Sequence, residues 1–214
     1  YRYGCSDSVM DHFCNSSCTL YSSKKSQKAI TAENMEDLLI DFLDSNITPI
    51  DIGSLYGQSF PVYPGEVLVI QAPPKSMKTM LIQNWLCQLK RPTYFLELEM
   101  SSRQIYMRFL QIQLGMTEQE ILSYYKDKKN GLHKDFEWLT FDTNNCHPFE
   151  IEKRISSLAQ KPEIVVVDHM GLLNTNHKDA NMKMEEISEG LRTLAIRQNV
   201  VVITVSEISK GAIR

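Results

Sequence analysis

The chain has 214 residues, of which 43% are hydrophobic and 23% charged, with 9 glycines and 8 prolines. This average composition excludes collagen-like, intrinsically disordered and coiled-coil proteins. The formal net charge of −3 excludes an overall positive field that would attract nucleic acid, although a local basic channel would not appear in that sum. No apolar run approaches the length of about 18 residues that a spanning helix needs. We therefore expect a cytoplasmic protein with no membrane partner.

The first 28 residues form a segment rich in cysteine and poor in aliphatic side chains. Its odd and uneven set of cysteines does not have the pattern of a secreted disulfide scaffold. Cys5, Cys14 and Cys18 together with His12 are candidate ligands for a Cys₃His zinc site, because Zn²⁺ takes thiolate and imidazole ligands. A fourth thiolate upstream, or free buried cysteines, are the alternatives. The start without an initiator methionine or a signal-peptide core predicts excision from a longer protein.

Residues 29–58 are predicted to be a linker that contains one amphipathic helix, over residues 31–45. The apolar side chains of this helix recur at helical spacing, and they are Met35, Leu38, Leu39, Phe42 and Leu43. The polar run at 44–46 and Pro49 end it. A short helix of this kind either packs on its own domain or docks on a neighbouring subunit, and both interpretations stay open.

Residues 59–214 alternate between short strands and helices. Strands are predicted at 66–71, 93–98, 138–141, 164–167 and 200–205, and helices at 81–89, 102–114, 151–158 and 184–198. Continuous β-branched runs separated by helices indicate a mainly parallel sheet that is covered on both faces. The predicted fold class is therefore α/β.

A candidate phosphate-binding loop lies between the first of these strands and the helix that follows it. The loop reads Ala72-Pro73-Pro74-Lys75-Ser76-Met77-Lys78-Thr79, where the general pattern is G-x-x-x-x-G-K-[ST]. Such a loop presents backbone N–H groups to a polyphosphate at a helix N-terminus, with Lys78 on the phosphates and Thr79 on Mg²⁺. Neither glycine of the pattern is present, and we expect Met77 to take a negative φ with its side chain turned away. An ordinary loop with a surface Lys-Thr pair is the alternative.

Four sequence blocks follow one another from Pro64 onward. They are Pro64-Gly65-Glu66 leading into the loop, Leu98-Glu99-Met100-Ser101 followed by Gln104, Ile105 and Arg108, Ile164 to Asp168, and Glu186 to Ala195 followed by Asn199 to Ser206. In this order the blocks resemble the C-terminal ATPase domain of DnaB-type replicative helicases, a branch of the RecA-like ATPases. The resemblance implies a RecA-like P-loop NTPase fold that hydrolyses ATP with the help of Mg²⁺.

The resemblance also implies roles for two acidic residues. Glu99 matches the family's glutamate that polarises the attacking water, and we prefer it to Glu97 because the flanking Met-Ser and Arg108 match the family's pattern. Asp168 matches the Walker B aspartate, which holds Mg²⁺ together with Thr79. For Asp168 taken alone, a strand followed by a turn-forming aspartate is the alternative.

For the assembly, the resemblance implies a homo-oligomeric ring, a hexamer, with ATP between subunits and single-stranded DNA in the channel. The polar segment 174–183 would face that channel, and Lys178 and Lys183 are its candidate DNA contacts. A solvated surface loop is the alternative for this segment. By analogy with helicase-related replication proteins, the cysteine-rich segment suggests a primase or another replication module as a partner.

The sequence departs from the family pattern at its C-terminal end. Glu207 occupies the catalytic position where the family has a glutamine that senses the γ-phosphate. A carboxylate there would repel phosphate unless it is protonated, metal-bound or paired, for example with Lys210. The chain also ends at Arg214, before the family's arginine finger, so we expect a C-terminal truncation. A regulatory or recombinase-like RecA-fold ATPase and a catalytically degenerate replication scaffold are therefore the alternative functions.

Overall fold

The computed structural model describes residues 48–55, 58–128 and 132–208, together with the isolated helical positions Met35 and Ile40. The chain divides into a first unit, residues 1–47, and a second, compact unit, residues 48–214. The cysteine-rich segment and nearly all of the predicted helix at 31–45 lie outside the described residues. The architecture below is that of the second unit.

A five-stranded parallel sheet forms the centre of this unit. In chain order the described strands are β1 (Ile50–Leu55), β2 (Gln58–Val62), β3 (Val67–Ala72), β4 (Thr93–Glu97), β5 (Leu139–Asp142), β6 (Ile164–Asp168) and β7 (Val201–Glu207). The first two pair as an antiparallel hairpin, and the other five form the sheet in the order β3-β7-β6-β4-β5. Every neighbouring pair in the larger sheet is parallel.

Helices cover both faces of the sheet. They are α1 (Lys78–Leu89), α2 (Ser102–Leu114), α3 (Glu118–Lys128), α4 (Pro148–Ser156) and α5 (Ala180–Gln198), with short 3₁₀ turns at Leu132–Phe136 and Met170–Leu172. None of the described helices is long and apolar enough to cross a lipid bilayer.

Two hydrophobic clusters explain why the central strands read as continuous apolar runs. Val166 packs in the cluster that α1, α2 and α3 build on one face, whereas Val165 and Val167 pack in the cluster that α4 and α5 build on the other. All five residues of β6 and all five of β4 are buried. Because both faces are covered, the strands need apolar side chains at every position rather than at alternate ones.

The α/β architecture confirms the predicted fold class, and the five predicted strands and four helices are present with small shifts of their ends. The hairpin β1–β2 and helix α3 were not predicted. The capping contacts of α3 come from Thr117 and Glu120, since the Thr117 backbone N–H donates to Glu120 Oε2 at 2.8 Å and the Glu120 N–H donates to Thr117 Oγ1 at 3.3 Å.

Helix α5 begins at Ala180, four residues before the predicted start at 184. Its beginning is fixed by Asp179, because Asp179 Oδ1 accepts hydrogen bonds from the backbone N–H groups of Asn181 and Met182, each at 3.0 Å. A side-chain acceptor at this position satisfies N–H groups that have no partner within the helix. The predicted loop at 174–183 therefore ends at Asp179.

Candidate active site

The carboxyl ends of four parallel strands meet at one edge of the sheet and form a cleft of about 470 Å³. In open α/β sheets, ligands bind outside these strand ends. The residues that line the cleft come from the loop after β3, from the ends of β4, β6 and β7, and from α1 and α2; they are Lys75, Ser76, Met77, Lys78, Thr79, Met80, Glu99, Met100, Arg108, Asp168, His169, Val205 and Glu207.

The loop after β3 makes a tight turn into α1. The Ser76 hydroxyl donates to the Pro73 carbonyl at 2.7 Å, and both Lys75 and Met77 adopt left-handed backbone conformations, with φ of 64° and 63°. The expected negative φ of Met77 is therefore wrong. A side chain in this conformation costs about 1–2 kcal/mol, a cost that the glycine of the general pattern would not have. Met77 is 72% exposed and lines the cleft.

Lys78, the first residue of α1, points its ammonium group back over the loop. Its Nζ donates to the carbonyl oxygens of Ala72 at 3.1 Å and Pro73 at 2.9 Å, and lies 3.8 Å from Glu207 Oε1. The helix has no side-chain cap and no acidic residue in its first turn. Its first backbone N–H groups and the positive end of its dipole are thus available to an anion beside the ammonium.

Asp168, the last residue of β6, lies 1% exposed beneath the cleft. Burial raises the pKa of its carboxyl, while a hydrogen bond from the Thr79 hydroxyl and the positive charge of Lys78 act in the opposite direction. Its Oδ2 has no hydrogen-bond partner among the described residues. A buried carboxylate oxygen without a partner beside a hydroxyl offers the hard oxygen ligands that Mg²⁺ prefers.

Glu97 is the neighbour of Asp168 in the β4–β6 ladder and is also fully buried. Burial, and then the adjacent negative charge of Asp168, raises the pKa of Glu97 to about 7. Its Oε1 accepts hydrogen bonds from the backbone N–H groups of Glu99, at 2.8 Å, and Met100, at 3.0 Å. Glu97 does not line the cleft, whereas Glu99 does.

Glu99 presents its carboxylate to the cleft, with 44% of its side chain exposed. Its Oε1 lies 3.4 Å from His169 Nε2. The other ring nitrogen, Nδ1, accepts a hydrogen bond from the Gly171 backbone N–H at 3.0 Å, so the proton of the neutral imidazole lies on Nε2 and faces Glu99. The sequence analysis missed His169, although its place directly after a strand-end aspartate was a usable signal.

Glu207, at the end of β7, lies beside Ala72 in the β3–β7 ladder. Its ion-pair partner is Lys78, while Lys210, the partner considered from the sequence, lies outside the described residues. The structure therefore brings Lys75 to Thr79 of the loop together with Glu99, Asp168 and Glu207 around one cleft, while Ala72, Pro73 and Pro74 do not line it. The roles of these residues stay predictions.

The two lysines predicted to contact DNA do not line the cleft. Lys178 is exposed in the segment between β6 and α5. Lys183 is half-buried in the first turn of α5 rather than in a loop, and its backbone N–H donates to the Asp179 carbonyl at 2.9 Å.

The predicted zinc ligands Cys5, His12, Cys14 and Cys18 lie outside the described residues. Within the part of the chain that the structure describes, no group of three or more histidine, cysteine, aspartate or glutamate side chains is placed to hold a metal ion. A Mg²⁺ site built from one carboxylate, one hydroxyl and the oxygens of a bound phosphate is compatible with this arrangement.

Comparison with known proteins gives one consistent family. The family model for the DnaB-like helicase C-terminal domain matches residues 60–213. The replicative DNA helicase DnaB of Mycoplasma pneumoniae is 26% identical over 169 residues, and that of Buchnera aphidicola is 25% identical over 203 residues. These alignments cover 68% and 85% of this chain but only 36% and 43% of the relatives.

A solved structure of a DnaB-like replicative helicase and its interactions with primase has a similar fold. It superposes with a TM-score of 0.64 and 16% sequence identity, covering 84% of this chain and 48% of that one. This likeness confirms the RecA-like arrangement of the sheet.

Proposed function

The chain belongs to the family of DnaB-like helicase C-terminal domains, and from this membership and the geometry of the cleft we propose that it is the ATP-hydrolysing motor domain of a replicative DNA helicase. One observation carries the proposal: Lys78, Thr79, Glu99 and Asp168, which are separated by up to ninety positions in the chain, all line one cleft at the carboxyl edge of the sheet. A lysine, a hydroxyl and two carboxylates in this arrangement are the groups that phosphoryl transfer to water requires.

In this proposal each group has its own role. The loop and the N-terminus of α1 bind the triphosphate, and the Lys78 ammonium neutralises charge on its β- and γ-phosphates. Thr79 and Asp168 would hold Mg²⁺, which supplies further positive charge to the phosphate oxygens. Glu99 accepts a proton from the water that attacks the γ-phosphorus, and ADP leaves on the opposite side.

The remaining expectations about the whole protein are part of the same proposal. We propose a hexameric ring that holds ATP between subunits and single-stranded DNA in its channel, contacted by Lys178 and Lys183, with a primase or a related replication module as a partner. The family membership supports the ring. The zinc site of residues 1–28 stays a separate prediction.

The proposal is tested by the ATP turnover of the full-length protein with and without single-stranded DNA. We expect turnover that DNA stimulates, and a loss of about a hundredfold or more in Lys78→Ala and in Glu99→Gln, because each removes a group that acts on the transition state. The control is Lys161→Ala, which removes an exposed lysine close to the amino end of β6, at the opposite edge of the sheet.

Two outcomes would favour the alternative functions. Turnover that DNA does not stimulate would indicate a regulatory or recombinase-like RecA-fold ATPase. Absence of nucleotide binding, with Lys78→Ala indistinguishable from the unmodified protein, would indicate a catalytically degenerate scaffold.

A further inference from the structure

Glu97 ends β4 directly below the segment that carries Glu99. The Leu98 backbone N–H still donates to the Asp168 carbonyl, at 2.7 Å. The next two N–H groups, of Glu99 and Met100, donate instead to a single oxygen, Oε1 of Glu97. A side chain thus replaces the neighbouring strand as the acceptor at the point where the chain turns away from the sheet.

The position of the Glu99 carboxylate depends on this turn. The side chain of Glu99 is 44% exposed. Among the described ion pairs, its carboxylate takes part in one, with His169 Nε2. Leaving two partly buried N–H groups without an acceptor would cost about 1–3 kcal/mol each, so the backbone at 99–100 would move to find other partners. A shift of about 1 Å in a reacting group can cost about a hundredfold in rate.

We propose, on the basis of the ATPase function proposed above, that Glu97 is a positioning residue that fixes the turn at residues 98–100 and thereby aims Glu99 at the attacking water. Glu97 does not itself act as the base, because it is fully buried, does not line the cleft and already accepts two hydrogen bonds at one oxygen. What the turn requires of Glu97 is an acceptor oxygen at the right distance, and not a negative charge.

Two conservative variants separate the effect of side-chain length at position 97 from the effect of its charge. Glu97→Gln keeps a carbonyl oxygen at the same distance and loses the charge. Glu97→Asp keeps the charge but draws the carboxylate back by one methylene group, about 1.5 Å. We expect Glu97→Gln to retain kcat within about threefold and Glu97→Asp to lower kcat by about ten- to a hundredfold.

The experiment is steady-state ATP hydrolysis by the full-length protein, together with the affinity of each variant for a fluorescent ATP analogue. Because the loop and Lys78 are untouched, both variants should keep KM and nucleotide affinity within about twofold, so that the whole effect falls on kcat. The control for a change inside the core is Gln83→Leu, since Gln83 is fully buried, its amide has no partner among the described residues and it does not line the cleft.

The opposite order of the two variants, with Glu97→Asp active and Glu97→Gln inactive, would overturn the inference and give Glu97 a role that needs charge. Loss of nucleotide affinity in parallel with kcat, or no effect of Glu97→Asp, would overturn it as well. Failure of the proposed function looks different: the unmodified protein and Glu99→Gln would then both lack turnover.

Discussion

At the scale of single residues, the most consequential contact is the one between Lys78 and Glu207. The Lys78 side chain is only 9% exposed, and its ammonium group lies near two carbonyl oxygens of its own loop and the Glu207 carboxylate. An incoming triphosphate must compete with that carboxylate for Lys78 and is also repelled by it. Two unit charges 4 Å apart interact by about 1 kcal/mol in water and about 4 kcal/mol at an effective dielectric constant near 20.

We therefore predict that Glu207→Gln tightens ATP binding by about three- to tenfold, because it removes the repulsion and keeps a polar side chain. The gain should be larger at low ionic strength, where the charges are less screened. The measurement is a titration with a fluorescent ATP analogue at two salt concentrations.

Glu163→Gln provides the matched control for Glu207→Gln. Glu163 is exposed to a similar extent, 45% against 41%, and also forms an ion pair, with Arg91 at 3.1 Å, but it lies near the amino end of β6. Unchanged or weaker binding by Glu207→Gln would show that this carboxylate does not oppose the nucleotide.

The sequence identified the residue types of the site but not their geometry. Lys78 and Thr79 could be predicted from the loop pattern, and Asp168 from the resemblance of its strand end to the family's Walker B block. The conformation of Met77 could not, since a left-handed φ at a non-glycine residue depends on the whole turn. The contacts of Glu97 with the turn could not be predicted either, because alternation along a strand gives the face of a side chain but not its hydrogen bonds.

At the scale of elements, Asp142 joins β5 to β4 and α4. Its Oδ2 accepts hydrogen bonds from the Tyr94 hydroxyl and from Arg154 Nη1, the latter at 2.7 Å, and its Oδ1 accepts from the Asn144 backbone N–H at 2.9 Å. Burial favours the neutral form of Asp142, but these hydrogen bonds outweigh it and lower the pKa of the carboxyl below its usual range. The ionised form is thus stabilised by folding.

Asp142→Asn should lower the free energy of unfolding by about 1–3 kcal/mol at neutral pH, since the amide cannot accept all of these bonds and weakens the pairing with Arg154. A carboxyl with a depressed pKa stabilises the fold above its unfolded pKa and loses that contribution as the pH falls through its folded pKa. The difference between variant and unmodified protein should therefore narrow below about pH 4.

The measurement is urea unfolding followed by tryptophan fluorescence at several pH values. Asp127→Asn, at an exposed position of α3, serves as the control and should change stability by less than about 0.5 kcal/mol. A loss of stability in Asp142→Asn that stays constant down to pH 3 would contradict the assignment to the ionised carboxyl.

The elements that the sequence predicted most clearly are the strands that are buried on both faces and the helices that pack an apolar stripe on the sheet. β6 and β4 could be recognised because every residue is buried. Among its described side chains, helix α3 carries one buried residue, Ile121, so it lacks a strong buried stripe, although Thr117 and Glu120 cap its start. The hairpin β1–β2 pairs locally in antiparallel fashion and has too few described buried positions to give a strong pattern.

At the scale of the whole molecule, sheet order and charge distribution assign different functions to different surfaces. The strand order β3-β7-β6-β4-β5 places the loop, Glu207, Asp168 and the Glu99 turn on consecutive strands, so one edge of the sheet forms the whole cleft. The net charge of −3 leaves no general attraction for nucleic acid. The proposed binding of single-stranded DNA must therefore rest on a few local cations, and the candidates are Lys178, in the segment that joins β6 to α5, and Lys183, in the first turn of α5.

The double variant Lys178→Ala/Lys183→Ala should bind single-stranded DNA more weakly at every sequence and show a smaller ratio of DNA-stimulated to basal turnover. Each lysine that contacts a phosphate releases a counterion, which contributes a slope of about 0.7 to the fall of log affinity with log salt. We expect the slope measured by fluorescence anisotropy on a thymidine oligonucleotide to decrease by about 1.4. The control pair, Lys126→Ala/Lys161→Ala, removes two exposed lysines elsewhere and should leave the slope unchanged. Equal slopes in both pairs would place the DNA contacts on another part of the protein.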